Sequence, residues 1–351
     1  MKDSFVDPYK KRVNIQTEKA EPQYIIDGQW VAVGLKNDYA IGRDTTLLPL
    51  GEPAYRFELR SGDNTIEGLF PGQKVARAEL SYCYAVASDY KNETSFEQAH
   101  RRKTVHYSGK GACSQGAHME YVFRILVPGS MEPDADVIFA QWHGMPTRTL
   151  IADTEGNYLR PGVHGFADAE KNIVFRKGMG YEKGKPNGWT ADHGGQPVLA
   201  FGFADGFFYV KANSDRKWLT DTEELCDADV GLARVMVPVS TRFKSSVIAS
   251  RLPWMDFPKD VWVGFKINVH WTSYNKEYDS VRYPGRLSII MEWEDNGKHK
   301  VINLLRNRSI EVGRNDEDGY YFKCGAYRQP GNNTPVCYYI SGYCEKEVIE
   351  K

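Results

Sequence analysis

The chain of 351 residues lacks any long hydrophobic run. A membrane-spanning helix needs about 20 mostly apolar residues, and no stretch approaches that length, so we expect no insertion into a membrane. The N-terminal segment MKDSFVDPYKKRVNIQ also lacks the apolar core of a secretory signal peptide. The sequence is therefore consistent with a cytosolic protein, or with a mature form that carries an added methionine.

An excess of charge of either sign is missing as well, because 45 basic residues face 46 acidic residues and the formal net charge is −1. This balance argues against a globally basic nucleic-acid-binding protein, although a local basic groove stays open. The sequence contains no GxGxxG, P-loop, GxSxG or HEXXH motif, so the enzyme classes built on them have no support. No ExDxxE pattern of the kind found in some β-sandwich glycosidases lies on a predicted strand, which leaves two-carboxylate glycoside hydrolysis unsupported.

Paired cysteine motifs are also absent, since the six cysteines are scattered without a CxxC pair. A zinc knuckle is therefore disfavoured. The even count permits disulfides, but a chain of this length can bury a full core without them, so free buried thiols are favoured. The six are Cys83, Cys113, Cys226, Cys324, Cys337 and Cys344.

Aromatic residues, in contrast, are abundant, with 8 Trp, 21 Tyr and 16 Phe making up 13% of the chain. Many segments alternate apolar and polar residues with a period of two and are bounded by Gly, Pro, Asn or Asp, which is typical of β-strands. Because no repeat of fixed length is found, a propeller is disfavoured and an all-β sandwich or jelly roll is predicted. The alternating segments are 121–128, 136–144, 197–212, 261–271, 286–295, 319–328 and 336–343.

Two polar segments interrupt this alternation. Residues 87–110 are polar and open to a short helix. Residues 153–187 are rich in glycine and charge, and they exceed the roughly 12–15 residues of a plain loop. We expect the second segment to be an insertion that stands off the sandwich, within a single domain that spans residues 1–351.

The segment 136–144, DVIFAQWHG, places polar residues on a strand face that would otherwise be apolar. Strict alternation puts Val137, Phe139, Gln141 and His143 on one face. Gln141 and His143 would then line a solvated groove, where a histidine can act as a general base near neutral pH. A structural histidine at the end of a strand explains the same pattern.

The segment 319–328, GYYFKCGAYR, alternates Tyr321, Lys323, Gly325 and Tyr327 onto one face. Lys323 and Tyr327 are then neighbours, and the small Gly325 leaves room for a ligand between them. A lysine beside a tyrosine favours the phenolate, so the tyrosine can exchange a proton. An aromatic strand with one lysine that extends toward solvent is the other interpretation.

The segment 314–319, RNDEDG, groups Asn315, Asp316 and Asp318, whose oxygens suit Ca²⁺. It lacks the spacing of an EF-hand loop, and a turn capped by its own side chains fits equally well. Basic residues near the expected groove suggest a polyanionic ligand, although a solvated surface explains any single one of them. They include Lys74, Arg77, the HRRK run at 100–103, Arg148, Arg160, Arg176, Lys177, Lys183 and Lys185.

Longer motifs resemble one family in their order along the chain. RVNIQ, IIDGQWVAVG, ARAELSYCYA, GKGACSQG, FAQWHGMPTRTL, FYVKANSDRKWLTD and GRNDEDGYYFK are similar to segments of the heparin lyase I family, polysaccharide lyase family 13, of the Bacteroides and Flavobacterium type. The resemblance runs from about Arg12 to Cys344. It implies a β-jelly roll with a long groove and a thumb-like extension, which would fall on residues 153–187 in a shortened form.

The resemblance also implies an activity. This is endolytic β-elimination on heparin and highly sulfated heparan sulfate, which cuts glucosamine–uronate linkages and leaves 4,5-unsaturated uronate ends. A periplasmic or secreted location and a monomeric state are expected with it, with the polysaccharide as the partner. Two alternatives stay open, a lyase for another acidic polysaccharide and a non-catalytic glycosaminoglycan-binding protein.

Catalytic roles fall by resemblance on His143, in QWHG, and on Tyr327. As a hypothesis, His143 is the base and Tyr327 the acid when the uronate is iduronate, whereas Tyr327 could serve as both for glucuronate. The substrate-binding residues implied by the resemblance or by the strand pattern are Gln16, Arg77, Cys113, Gln141 and Lys323.

A calcium site is the last feature that the resemblance implies. Its ligands would be Asp192, the backbone carbonyl of Trp218, and Asn315 or Asp316. We expect the ion to support the structure or shape the groove, rather than act as a Lewis acid. The sequence departs from the family at Asp192, where a glutamate is common, and at KCGAY, where the family has KFGIY.

Overall fold

The computed structural model describes residues 7–14, 19–26, 30–33, 37–44, 46, 51–64, 66–67, 74–82, 113–144, 151–152, 158–159, 196–216, 244–275, 280–315 and 320–349. Within these ranges the protein is almost entirely β-structure, apart from one 3₁₀ turn at Trp254–Asp256. The predictions for residues 87–110 and for most of residues 153–187 lie outside the described residues.

The strands, in chain order, are β1 (Asp7–Asn14), β2 (Lys19–Ile26), β3 (Trp30–Val33), β4 (Ile41–Asp44), β5 (Ala54–Leu59), β6 (Ile66–Glu67), β7 (Lys74–Tyr82), β8 (His118–Leu126), β9 (Val137–Gly144), β10 (Ile151–Ala152), β11 (Tyr158–Leu159), β12 (Leu199–Ala204), β13 (Phe207–Asp215), β14 (Lys244–Pro253), β15 (Trp262–His270), β16 (Ser273–Asn275), β17 (Ser280–Tyr283), β18 (Arg286–Asp295), β19 (Lys298–Ser309), β20 (Gly313–Arg314), β21 (Tyr320–Arg328) and β22 (Val336–Glu347).

Two large sheets form the fold. The first has the order β1-β2-β3-β7-β21-β9-β12-β13-β14, with β6 paired to β7 and β20 paired to β13. The second has the order β19-β18-β15-β8-β22-β5-β4. Neighbours that are distant in sequence, such as β7, β21 and β9, pair antiparallel, as expected for a jelly roll.

An aromatic core joins the two sheets. Phe123 on β8 contacts Phe139 on β9 and Phe201 on β12, with ring centroids 6.4 and 5.8 Å apart. Phe322 on β21 stacks on Tyr343 of β22 at 4.0 Å. Aromatic side chains bury large apolar areas, and offset or edge-to-face pairs add to that stabilisation. The prediction of an all-β jelly-roll sandwich is confirmed.

The alternating segments of the sequence correspond to strands β8, β9, β12, β13, β15, β18, β21 and β22. On β15, Val263, Phe265, Ile267 and Val269 are all buried, as alternation with a period of two requires; Gly264, which has no side chain, is buried between the first two. The prediction of one domain over residues 1–351 stays a prediction. No helix in the described part of the chain has the length and apolar character needed to cross a membrane.

Candidate active site

Three adjacent strands in the middle of the first sheet bring most of the predicted site residues together. On β21, Tyr321 lies opposite His143 and Lys323 lies opposite Gln141, both on β9. On the other side of β21, Tyr327 lies opposite Arg77 of β7. We call Arg77, Glu79, Gln141, Lys323 and Tyr327 the polar cluster, with His143 at one end of its row.

The predicted phase of β9 is wrong in its first half. Phe139 and Trp142 are three residues apart, yet both pack in the core, where Trp142 contacts Phe322 at 4.9 Å. The alternation therefore reverses between them, and Phe139 does not share a face with Gln141 and His143. The register with β12 shifts at this point, and the extra residue of a bulge changes which face a strand presents.

The sequence suggested that the small Gly325 leaves room for a ligand, but the structure shows that it does not. Its φ is +135°, and a Cβ atom there would lie 2.3 Å from the carbonyl oxygen of Ala78 and 2.6 Å from Cα of Glu79. The register between β21 and β9 also shifts between Cys324 and Tyr327. Glycine is thus required because β21 bulges against the backbone of β7.

Glu79 lies at the centre of the polar cluster, and the sequence analysis did not identify it. Its side chain is only 2% exposed, and its Oε2 atom lies 3.2 Å from Nζ of Lys323. Nε of Arg77 donates to Oε2, and Nε2 of Gln141 donates to Oε1. Burial by itself would raise the pKa of this carboxyl, but Arg77 and Lys323 outweigh it and lower the pKa to about 2.

Tyr327 is half-buried at the edge of the cluster, and its ring centroid lies 5.8 Å from Cζ of Arg77. Burial raises the pKa of its hydroxyl; Arg77 lowers it and the negative charge of Glu79 raises it. The raised pKa differs from the expectation that a neighbouring cation would favour the phenolate. Tyr327 is therefore a neutral phenol at neutral pH, able to donate a proton.

His143 is partly exposed, and its ring lies 5.9 Å from that of Tyr321. Its Nδ1 atom lies 3.2 Å from the carbonyl oxygen of Gly144. A carbonyl oxygen can only accept, so this hydrogen bond places the proton on Nδ1 and leaves Nε2 as the basic nitrogen of the neutral ring. His143 and Tyr327 stand at opposite ends of the polar row, since Tyr327 lies opposite Ile138.

Comparison with known proteins gives the family. A model described as "Polysaccharide lyase" matches residues 17–342. The chain belongs to the polysaccharide lyase family. It is 42% identical to the protein named "Heparin lyase I" from Pedobacter heparinus over 354 residues, covering 96% of this chain and 92% of that one.

Solved structures of other lyases resemble this one only in a general way. Alginate lyase AlgAT5 of polysaccharide lyase family 7 is 12% identical, with 97% of this chain and 94% of that chain covered and a TM-score of 0.37. The alginate lyase from Corynebacterium sp. is 10% identical, with coverages of 92% and 94% and a TM-score of 0.39. Similarity at this level does not extend to the site or the substrate.

Cys113 of this polysaccharide lyase is not part of the polar cluster. Its thiol lies in the core, where the hydroxyl of Tyr121 donates to its sulfur at 3.2 Å. Burial raises the pKa of the thiol to about 12. Cys113 pairs with Tyr320 beside the start of β21, so it adjoins the strand that carries Lys323 and Tyr327. A substrate-binding role for Cys113 stays a prediction.

Gln16 lies outside the described residues, and so do three of the predicted calcium ligands, Asp192, Trp218 and Asp316. Asn315 is described and is fully buried. Its Nδ2 atom donates to the carbonyl oxygens of Arg216 at 2.8 Å and Asn275 at 3.4 Å. Within the described ranges, no group of three His, Cys, Asp or Glu residues is placed to hold a metal ion.

Proposed function

We propose that this lyase cleaves heparin and highly sulfated heparan sulfate endolytically by β-elimination, leaving 4,5-unsaturated uronate ends. The observation that carries the proposal is the polar cluster, which includes Tyr327 and has His143 at one end of its row, in a chain 42% identical to a heparin lyase I. In that cluster two cations surround one buried carboxylate. One net positive charge therefore remains, which suits an anionic sugar.

The first requirement of the reaction is to acidify the proton on C5 of the uronate. That proton is only weakly acidic while the neighbouring carboxylate is fully charged, so hydrogen-bond donors must take up the charge that develops there. Arg77 fits this role because it donates to Glu79 through Nε, and its two terminal nitrogens would then serve the substrate. Its side chain is also 26% exposed, against 5% for Lys323.

The second requirement is a base for the C5 proton and an acid for the C4 oxygen. We assign the base to Nε2 of His143 and the acid to the hydroxyl of Tyr327. In iduronate the C5–H and C4–O bonds lie on opposite sides of the ring, which calls for two separate groups. The raised pKa of the Tyr327 hydroxyl supports the acid role. In glucuronate the two bonds lie on the same side of the ring, and Tyr327 could serve there as both base and acid.

Lys323 supports the polar cluster in this proposal and does not hold the substrate directly. Its ammonium group is buried and paired with Glu79, so it stabilises the carboxylate at the base of the cluster. The uronate carboxylate would instead meet the more exposed Arg77. Affinity for the polymer should then fall with increasing salt, as it does for other polyanion-binding sites.

Calcium is part of the proposal as a structural ion. Asn315 would supply its Oδ1 atom, which is the hard oxygen type of ligand that Ca²⁺ prefers. That atom accepts from Nε2 of Gln115 at 3.5 Å, while Nδ2 donates to the carbonyl oxygen of Arg216. Asp192, the carbonyl of Trp218, Asn315 and Asp316 would hold the ion, and the ion would fix these segments relative to each other. Removal by EDTA should lower the melting temperature; unchanged melting and activity would contradict a required ion.

The decisive experiment measures the ultraviolet absorbance of the unsaturated uronate with heparin, heparan sulfate, chondroitin sulfate and alginate offered separately. We expect a rise with heparin and with highly sulfated heparan sulfate. A rise only with chondroitin sulfate or alginate would indicate a lyase for another acidic polysaccharide. Retention on a heparin column without any rise would indicate a binding protein built on a lyase fold.

His143 gives the sharpest test of the assigned base. His143→Ala should lower kcat on heparin by about 10²–10⁴-fold, the usual contribution of a positioned base. Full turnover by a folded His143→Ala variant would contradict the assignment.

We also propose a periplasmic or secreted, monomeric enzyme on the basis of the family, which fractionation and sedimentation would test.

A further inference from the structure

Glu79 is a charged side chain buried beneath the proposed site, and the reaction as described above does not use it. A buried carboxylate is costly unless hydrogen bonds and opposite charges compensate it. Here Arg77, Gln141 and Lys323 compensate it from three different strands. Glu79 therefore contacts three other members of the polar cluster.

The contacts of Glu79 determine the orientation of its partners. Its Oε2 atom accepts from Nε of Arg77 and pairs with Nζ of Lys323, while its Oε1 atom accepts from the amide of Gln141. A guanidinium bound through Nε has its plane fixed, because the group is rigid and planar. The guanidinium of Arg77 is thereby held near the ring of Tyr327, with Cζ 5.8 Å from the ring centroid.

The charge of Glu79 also acts on Tyr327. Glu79 raises the pKa of the Tyr327 hydroxyl, Arg77 lowers it, and burial contributes the largest increase. The charged groups facing this region are Arg77 and Glu79 from β7 and Lys323 from β21. The titratable Tyr321 of β21 and His143 of β9 lie further along the same row, and β9 also contributes the neutral Ile138 and Gln141. On the core side, Cys324 and Tyr338 are uncharged, since burial raises the pKa of both.

We propose that Glu79 is a positioning residue for the elimination reaction, which orients Arg77 and Gln141 beside Tyr327 and balances the positive charge around them. This inference rests on the proposed function. It assigns Glu79 no contact with the substrate. Its negative charge would instead offset Arg77, which by itself favours the phenolate.

The test compares Glu79→Gln and Glu79→Asp in the full chain, using the absorbance assay on heparin across a pH series. Glu79→Gln keeps the shape of the side chain but removes the charge. We expect kcat to fall at least about tenfold and the alkaline limb of the rate profile to move to lower pH. Glu79→Asp keeps the charge and shortens the reach, so kcat should fall while the alkaline limb stays in place.

Glu58 provides a matched control, because it forms a similar pair with Arg56 on β5, in the other sheet. Glu58→Gln should leave both kcat and the alkaline limb unchanged. A folded Glu79→Gln variant with wild-type kcat and alkaline limb would overturn the proposal, as would an equal displacement of the limb in Glu79→Asp. If Glu79→Gln does not fold, wild-type kcat in Glu79→Asp would overturn it and a reduced kcat with an unmoved limb would support it.

The outcome separates this inference from the proposed function. An inactive wild-type protein on every polymer would remove the proposed function itself. An active wild-type enzyme whose rate and pH profile ignore the charge at position 79 would remove only the role of Glu79.

Discussion

The two large sheets carry the same local arrangement with different surroundings. On β7, Arg77 and Glu79 flank Ala78, and Tyr327 lies opposite Arg77. On β5, Arg56 and Glu58 flank Phe57, and Tyr339 lies opposite Arg56. In each case a residue spacing of two places the arginine and the glutamate on one strand face, where they form an ion pair.

The two arrangements differ in the other side chains that contact each glutamate. Glu79 is 2% exposed and meets Lys323 and Gln141 from β21 and β9. The side chain of Glu58 is 14% exposed, and its other cation, Arg60, is 56% exposed and lies 2.6 Å away. Side chains from neighbouring strands therefore make Arg77 and Glu79 part of a buried charge cluster, which adjoins the proposed proton donor Tyr327. Glu58 instead contacts Arg56 of its own strand and Arg60 directly after that strand.

The largest expected effect concerns the two tyrosines. Tyr327→Phe removes the proposed acid and should lower kcat on heparin by about 10²–10⁴-fold. Tyr339→Phe removes a hydroxyl of the same kind beside Arg56 and should leave kcat within about twofold, since no proton transfer depends on it. The absorbance assay measures both; equal rates for the two variants would contradict the assignment of Tyr327.

The two glutamates should differ in their contribution to folding. Glu79→Ala leaves Arg77 and Lys323 without their buried counter-charge, so the free energy of unfolding should fall by about 3–5 kcal/mol. Glu58→Ala acts on a more exposed pair with Arg56 and should cost no more than about 1 kcal/mol. Urea denaturation at neutral pH measures both values, and comparable losses would erase the distinction between the pairs.

The stability of the protein in acid should report the charge of Glu79. The pKa of Glu79 is about 2 in the folded protein, against an ordinary value of 4.5. Because the folded value is lowered, the stabilisation is fully present above the ordinary value and is lost as pH falls toward 2. At about 1.4 kcal/mol per unit, the free energy of unfolding of the wild type should decrease by roughly 3 kcal/mol more than that of Glu79→Gln. Urea denaturation at a series of pH values would test this, and parallel curves would contradict it.

Two glycines give the smallest contrast. Gly325 lies opposite Glu79, and an alanine there meets the backbone of Ala78 in a backbone conformation that alanine rarely adopts. We expect Gly325→Ala to lower the free energy of unfolding by about 1–3 kcal/mol. Gly42 lies opposite Arg56, where a Cβ atom would be 3.8 Å from its nearest neighbour, so Gly42→Ala should change stability by no more than about 0.5 kcal/mol. Thermal unfolding compares the two variants.

The strands and the jelly roll could be predicted from the sequence because alternation with a period of two is a local property. The resemblance supplied His143 and Tyr327 in the same way, through short motifs. The phase of β9 could not be predicted, since the bulge near Phe139 depends on pairing with β12, which begins at Leu199. Glu79 could not be predicted, because an arginine and a glutamate two residues apart usually form a pair in contact with solvent. Arg56 and Glu58, whose side chains are partly exposed, are an example.

The order of the strands has a consequence for how the enzyme acquires activity. β21 lies between β7 and β9, and β22 lies between β8 and β5, so both sheets are completed at their middle by segments from the late part of the sequence. Pairings between distant segments form slowly, because loop closure precedes the contacts that reward it. During synthesis, β7 and β9 must wait with open edges until residues 320–328 emerge, and Glu79 has no lysine partner until then. The nascent chain is therefore catalytically silent for most of its synthesis, and its exposed edges are the point at which a chaperone would act.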